Sequence, residues 1–128
     1  MSEVANRIGE MLLSTEAIQY YKEKPFVFVS GRVSPVYIDC RRLLSFPDVR
    51  TEIIDQMAQK AETEIGLDAI DVIAGGETAG IPYAAFVSHE LKKPMIYNRK
   101  QPKGYGGIKQ IVDFLKDPEN WGRKMGFV

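Results

Sequence analysis

Apolar residues recur along the first part of the chain with spacings that change from helical to strand-like. In residues 3–22 they are spaced by three or four positions among charged residues, which predicts an N-terminal helix or helical pair. The run over 26–29 is aromatic and β-branched and stops at Ser30-Gly31, so it predicts a strand that ends in a turn. A second short strand is predicted over 36–39, after a Ser-Pro turn signal.

The middle of the chain alternates helical and strand patterns. Pro47 and Asp48 suit the first turn of a helix that runs toward Gly66, and this helix carries one apolar stripe. The stripe comprises Ile54, Met57, Ala58, Ala61 and Ile65. A strand over 69–74, a buried helix over 81–91 with apolar residues almost all round, and a strand over 94–97 follow. Such alternation predicts the α/β class, with parallel βαβ units.

Composition and charge narrow the possible functions. The 128 residues fit one domain, and 45% hydrophobic and 27% charged residues predict a packed core. Seventeen Lys and Arg balance seventeen Asp and Glu, so no overall field attracts nucleic acid or an anionic membrane. The apolar runs are too short to span a bilayer, and charges interrupt the N-terminus where a signal peptide would be apolar, so the cytoplasm is the expected location. With Cys40 and His89 as the only cysteine and histidine, no protein metal site is predicted.

The segment 73–80, IAGGETAG, lies between a predicted strand and a predicted helix. Its three glycines would let the backbone approach a ligand closely, and the amides at the following helix start suit an anion such as phosphate. A glycine turn required only for tight packing is an equally weighted alternative. The dinucleotide fingerprint and the P-loop lysine motif are both absent from the sequence.

Two further segments could contribute to a site. Arg99, Lys100 and Lys103 place three cations within five positions, on a segment that could close over a polyanion, although a solvated surface loop explains the same cluster. Nucleic-acid binding is disfavoured, because Tyr105 is the only aromatic residue among these charges. The segment 30–42 combines a turn with a strand that could hold a flat heterocycle, while its two arginines could equally be surface charges.

Taken in order, these three segments resemble one known family. SGRVSPVYIDCRRLLSFP, IAGGETAGIPYAA and KPMIYNRKQPKGYG are similar to orotate phosphoribosyltransferases of the type I phosphoribosyltransferase family, and the resemblance covers roughly residues 10 to 111. It implies a phosphoribosyltransferase-type parallel sheet flanked by helices, with an N-terminal helix and small strands. The implied reaction transfers ribosyl 5-phosphate from phosphoribosyl pyrophosphate to orotate and yields orotidine monophosphate and pyrophosphate, with Mg²⁺ held through phosphoribosyl pyrophosphate.

The resemblance also implies roles for individual residues. Tyr37 and Ile38 match the strand that holds orotate, and Tyr105 lies in the matched basic loop. The loop that meets pyrophosphate matches Glu77, Thr78, Ala79 and Gly80. The catalytic loop matches Arg99, Lys100 and Lys103, and in the family it reaches into the neighbouring subunit, which implies a homodimer with shared active sites.

The chain departs from the family pattern at several positions. Val29 stands where many members have lysine, Thr78 and Ala79 replace a Tyr-Lys pair, and Tyr105 replaces a histidine common in other branches. After Ile111 the loop that wraps the ribose 5-phosphate is missing, and the residues from Val112 onward resemble the family's C-terminal helix.

The predicted domain is therefore single and incomplete. It comprises a substrate-hood part (1–45), a βαβ core with the basic loop (46–111) and a C-terminal helix (112–128), with a short helix near its Asp-Pro-Glu sequence. A shortened, non-catalytic relative that binds a pyrimidine or phosphate, or only dimerises, is the alternative.

Overall fold

The computed structural model describes residues 2–100 and 125–127. The chain divides into two compact units, Met1–Ile53 and Ile54–Val128. The predicted join after residue 111, the basic loop beyond Lys100 and most of the predicted C-terminal helix (112–128) lie outside the described residues. Within that predicted helix, residues 125–127 form a strand, so the helix prediction is wrong there. The three-part division at 1–45, 46–111 and 112–128 also stays a prediction.

The first unit begins with a helix that ends earlier than its sequence pattern indicated. Helix α1, Glu3–Ser14, is capped by the Ser2 hydroxyl, which accepts a hydrogen bond from the Ala5 amide. At its other end the buried Thr15 hydroxyl donates to the Met11 carbonyl at 2.7 Å, and Glu16 adopts a left-handed φ of 55°. The prediction of helix through residue 22 is therefore wrong beyond Ser14.

Two antiparallel pairs of short strands complete most of this unit. Strand β1 (Ile18–Tyr20) pairs with β4 (Val36–Ile38), and β2 (Phe26–Val27) pairs with β3 (Val33–Ser34). The two predicted strands in this region are confirmed, each shorter than expected, whereas β1 and β3 were not predicted. A 3₁₀ helix, Cys40–Ser45, follows β4.

Helix α2, Pro47–Glu64, begins at the proline that the sequence indicated. Of its apolar stripe, Ile54 and Ala58 are buried, and the adjacent Ile53 is buried as well. Ile65 was expected in the stripe but follows the end of the helix and is 57% exposed. The buried stripe is therefore shorter than predicted.

The second unit contains a parallel three-stranded sheet, which confirms the α/β class. After a 3₁₀ turn, Leu67–Ala69, strand β5 (Val72–Gly76) lies between β6 (Met95–Asn98) and β7 (Met125–Phe127), and both neighbours run parallel to it. The strand predicted over 69–74 was thus placed too early. Because β5 is the central strand of this sheet, its first four residues are buried.

Helix α3, Gly80–Leu91, connects β5 to β6 and packs on the sheet along one stripe. The buried residues of the helix are Tyr83, Ala84, Val87 and Ser88. Ala85 and Phe86 are exposed, so the expected burial almost all round is wrong. No helix in the described part of the chain has both the length and the apolar character that crossing a bilayer requires.

Candidate functional site

The turn between β5 and α3 is built on an unusually close approach at Gly75. A Cβ atom at this position would lie 2.9 Å from the Ala84 Cβ and from the Gly80 carbonyl oxygen, and 3.0 Å from the Ile81 Cα. These contacts are too short for any side chain, and two of the three involve backbone. Gly75 is therefore required for packing, as one of the two interpretations of the glycine segment held.

The rest of the turn is more open. A Cβ at Gly76 would meet only the Asn98 side-chain oxygen, at 3.9 Å. Glu77 is half-buried, Thr78 and Ala79 are exposed, and the peptide bond between Glu77 and Thr78 is cis. Ala79 is the N-cap of α3 and supplies no side-chain hydrogen bond to the helix start. The first turn of α3 therefore presents amides next to exposed backbone, an arrangement that favours anions.

Hydrogen bonds join this turn to the beginning of the basic segment. Strands β5 and β6 remain in register up to the pair Gly76 and Asn98. Beyond that pair the Glu77 amide donates to the Asn98 carbonyl at 3.1 Å, and the Lys100 amide donates to the Glu77 carboxylate at 2.7 Å. Two of the three predicted segments therefore meet at the carboxyl ends of parallel strands, where α/β sheets usually bind ligands.

The predicted cations fall partly within this region. Arg99 is half-buried and Lys100 is exposed, and both directly follow β6. Lys103 and Tyr105 lie outside the described residues. Glu77, Thr78, Ala79 and Gly80 form the turn itself, so six of the predicted site residues lie on two adjacent strand ends.

Tyr37 and Ile38, the other predicted pair, belong to β4 of the first unit. The Tyr37 ring lies 5.7 Å from the ring of Phe26 and 6.4 Å from that of Phe28, both in tilted geometry. Such tilted contacts stabilise aromatic pairs. Ile38 is 54% exposed. Successive side chains of a strand point to opposite faces, so β4 offers the half-buried ring of Tyr37 on one face and the exposed Ile38 side chain on the other.

Shortly after Tyr37, Asp39 and Arg41 form an ion pair that was not predicted from the sequence. The Arg41 guanidinium donates to Asp39 from Nε at 2.7 Å and from Nη2 at 3.0 Å, and the Arg41 amide also donates to this carboxylate. These hydrogen bonds hold the pKa of the Asp39 carboxyl below its usual value. Arg42 donates to the Thr15 carbonyl at 2.9 Å. Both arginines therefore have structural partners, and the only sequence signal was an aspartate two positions before an arginine.

The loop before β3 forms a tight hairpin turn. The Phe28 amide donates to the Arg32 carbonyl, the Gly31 amide donates to the Phe28 carbonyl, and Gly31 has a φ of 80° that favours glycine. Val29, which replaces the lysine of many family members, is fully exposed at the tip. A side chain at this position can therefore reach solvent without disturbing the core.

No group of three or more His, Cys, Asp or Glu side chains within residues 2–100 could hold a metal ion. Glu77 is the carboxylate of the glycine turn, and it accepts the Lys100 amide. A metal that enters with a substrate is therefore compatible with this site, whereas the described residues supply no ligand set of their own.

Comparison with known proteins gives a consistent family assignment by sequence. The chain is 46% identical over 118 residues to an orotate phosphoribosyltransferase from Dinoroseobacter shibae, covering 92% of this chain and 52% of that protein. It is 50% identical over 115 residues to an orotate phosphoribosyltransferase from Cereibacter sphaeroides, covering 90% of this chain and 50% of that protein. The chain thus spans about half the length of the curated relatives it matches. No family model matches it.

Solved structures agree at the level of the fold. The crystal structure of orotate phosphoribosyltransferase from Aeropyrum pernix superimposes with a TM-score of 0.67 at 31% identity, covering 81% of this chain and 56% of that one. The adenine phosphoribosyl transferase from Trypanosoma brucei shares the fold at a TM-score of 0.56 and 16% identity, covering 89% of this chain and 51% of that one. The predicted fold, an incomplete phosphoribosyltransferase-type sheet, is confirmed.

Proposed function

We propose that this chain, which belongs to the orotate phosphoribosyltransferase family over about half the length of its relatives, acts in the transfer of ribosyl 5-phosphate to orotate. The products are orotidine monophosphate and pyrophosphate. The meeting of the glycine turn with the start of the basic segment, at the ends of β5 and β6, is the observation that carries this proposal.

The glycine turn and the cations suit the pyrophosphate end of phosphoribosyl pyrophosphate. Thr78 and Ala79 are exposed, and the backbone around them opens the α3 helix, whose positive end favours an anion. Arg99 and Lys100 leave β6 beside the turn and supply positive charge for the leaving group. Lys103, from the same basic segment, is proposed as a third cation. Stabilising charge that grows on pyrophosphate in the transition state is the main requirement of this reaction.

Orotate is proposed to bind at β4. The backbone of Tyr37 and Ile38 would meet the edge of the pyrimidine, while the rings of Phe26 and Phe28 hold the tyrosine ring in a defined orientation. A planar heterocycle is recognised in this way by apolar contact on its face and by hydrogen bonds on its edge. Tyr105 is proposed to contribute from the basic segment.

Mg²⁺ would bind with phosphoribosyl pyrophosphate, where it neutralises diphosphate charge. The residues of this chain would then orient the diphosphate through the turn amides and the cations of the basic segment. A homodimer with shared active sites and a cytoplasmic location are part of the same proposal. The homodimer derives from the sequence resemblance, and the location from the pattern of apolar and charged residues along the chain.

The decisive experiment measures orotate consumption. We expect orotate absorbance to fall when a chain extended by the family's ribose-phosphate segment is incubated with orotate, phosphoribosyl pyrophosphate and Mg²⁺. The 128-residue chain is assayed in parallel, with omission of Mg²⁺ as the control. Absence of turnover in the extended chain, with its fold verified by circular dichroism, would refute the proposed activity.

A non-catalytic binding module is the second candidate, because the amides at the start of α3 favour an anion whether or not a reaction follows. This candidate predicts that calorimetry detects orotate or pyrophosphate binding to the 128-residue chain while no orotate is consumed. Turnover by that chain excludes it.

A further inference from the structure

Glu77 is bonded to the strand end of β6 at both its backbone and its side chain. Its amide donates to the Asn98 carbonyl at 3.1 Å, and its carboxylate accepts the Lys100 amide at 2.7 Å. The carboxylate therefore already has a partner from the beginning of the basic segment. The family resemblance implied instead that Glu77 contacts substrate, as part of the pyrophosphate loop.

We infer that Glu77 is a positioning residue, which fixes the backbone at Arg99 and Lys100 beside the glycine turn and does not itself bind the diphosphate. This inference rests on the proposed function, and it changes the role of one residue within the proposed site.

The sheet geometry explains why such a bond is needed. Paired residues of β5 and β6 end at Gly76 and Asn98, so the Lys100 amide lies beyond the last pair of the ladder. A carboxylate that reaches across supplies an acceptor there, and a hydrogen bond to a charged acceptor is stronger than a neutral one. Because Asn98 and Lys100 are both bonded to Glu77, the backbone of Arg99 is held on both sides.

Electrostatics supports a positioning role over direct contact. A carboxylate placed against a diphosphate would repel it, whereas the adjacent Arg99 and Lys100 would attract it. The carboxylate is compatible with an anion site when its negative charge faces backbone N–H and neighbouring cations. A neutral acceptor of the same shape should still hold the Lys100 amide, though with a weaker hydrogen bond, and it would no longer repel the diphosphate.

Two substitutions separate these roles. Glu77→Gln keeps a side-chain oxygen that can accept the Lys100 amide and removes the charge, while Glu77→Ala removes both. Glu90→Ala, at an exposed position of α3, is the matched control. Each protein is titrated with inorganic pyrophosphate by calorimetry, once with Mg²⁺ and once with a chelator, after circular dichroism has verified its fold.

We expect pyrophosphate affinity to be equal or higher in Glu77→Gln, unchanged in the Glu90 control, and roughly tenfold lower in Glu77→Ala, the loss expected for one charge-assisted hydrogen bond. Equal affinity of Glu77→Ala and the unmodified chain would overturn the inference. A loss of pyrophosphate affinity in Glu77→Gln as large as that in Glu77→Ala would overturn it as well. If that loss occurred only in the presence of Mg²⁺, it would identify Glu77 as a metal ligand.

Amide exchange tests the same bond without ligand. By NMR, the Lys100 amide should exchange slowly in the unmodified chain and in Glu77→Gln, and rapidly in Glu77→Ala. If no protein binds pyrophosphate, the proposed pyrophosphate site is refuted, and this exchange pattern still decides whether Glu77 anchors the segment. Fast exchange in the unmodified chain refutes the anchor.

Discussion

Replacing Gly75 with alanine tests the packing of α3 on β5. The added methyl group would lie 2.9 Å from the Ala84 Cβ, whereas carbon atoms pack best at about 3.5–4.0 Å. Relief of this one contact requires a displacement of roughly 0.6 Å, since the shortfall is measured from the lower end of that range. The other two close atoms belong to the backbone of Gly80 and Ile81, which no rotamer change can move.

The expected cost follows from these distances. Overpacking a well-packed core typically costs ~1–3 kcal/mol, and a clash with backbone on a buried central strand belongs at the upper end of that range. Gly76→Ala is the matched control, because its new methyl group would meet only one atom, at 3.9 Å, and its φ lies outside the left-handed region. That control should be neutral, or more stable by up to about 1 kcal/mol through reduced freedom of the unfolded chain.

Urea unfolding followed by circular dichroism measures both free energies of unfolding. The two variants should differ by at least about 1.5 kcal/mol, with Gly75→Ala the less stable. Similar m-values would show that the variants expose the same surface on unfolding, so that the difference in midpoint reports a difference in stability. If Gly75→Ala unfolds at the same urea concentration as the unmodified chain, or if both variants lose equal stability, the described contact between strand and helix is wrong.

Three further predictions concern charged side chains. Asp39→Asn should destabilise the protein at pH 7 in urea unfolding, and this loss should shrink progressively as pH falls below the ordinary aspartate pKa. Because the pKa of Asp39 is lowered in the folded protein, the carboxylate's contribution to stability is complete above the ordinary aspartate pKa of about 3.9. That contribution is lost as pH falls through the pKa of Asp39 in the folded protein. A loss of stability that does not depend on pH would contradict the ion pair with Arg41. Arg7 contacts Glu52 through two short hydrogen bonds. A double-mutant cycle of these two residues should give a favourable coupling free energy that weakens when NaCl is added. A coupling free energy insensitive to salt would refute a mainly electrostatic contact. In the extended chain, Lys103→Ala should lower kcat far more than orotate affinity, and equal losses would count against its action on the leaving group.

Local signals predicted the elements that depend on neighbouring residues. Pro47 was correctly identified as the start of α2, and the region of α3 was recognised from its apolar pattern. The parallel β5 and β6 pair was implied by the alternation of strand and helix. In each case the physical cause, a proline without a donor or a repeating apolar face, is present in the sequence itself.

The errors involved contacts between distant positions. The predicted helix over 3–22 gives way to β1, which pairs residue 18 with residue 38. Strand β7 joins β5 from more than fifty positions away, and no local pattern indicated it. Propensity cannot report such pairings, because their stability comes from the partner strand.

The same distinction applies to the site. The chemistry of the glycine turn and the cations could be recognised from residue types and their order. The separate roles of Gly75 and Gly76 could not, since adjacent glycines look identical until the helix approaches one of them. The bond from Glu77 to the Lys100 amide was equally invisible, because it depends on strand register.

The order of the parallel sheet also determines which strand edges are open to other molecules. Among the described strands, β6 and β7 flank β5 and each leaves one side without a strand neighbour. Exposed edges of this kind can recruit strands from other molecules and seed fibrils. Here β6 has four residues and β7 has three. Edges as short as these offer few hydrogen bonds to an intruding chain, so the described strands limit edge-to-edge pairing by their length.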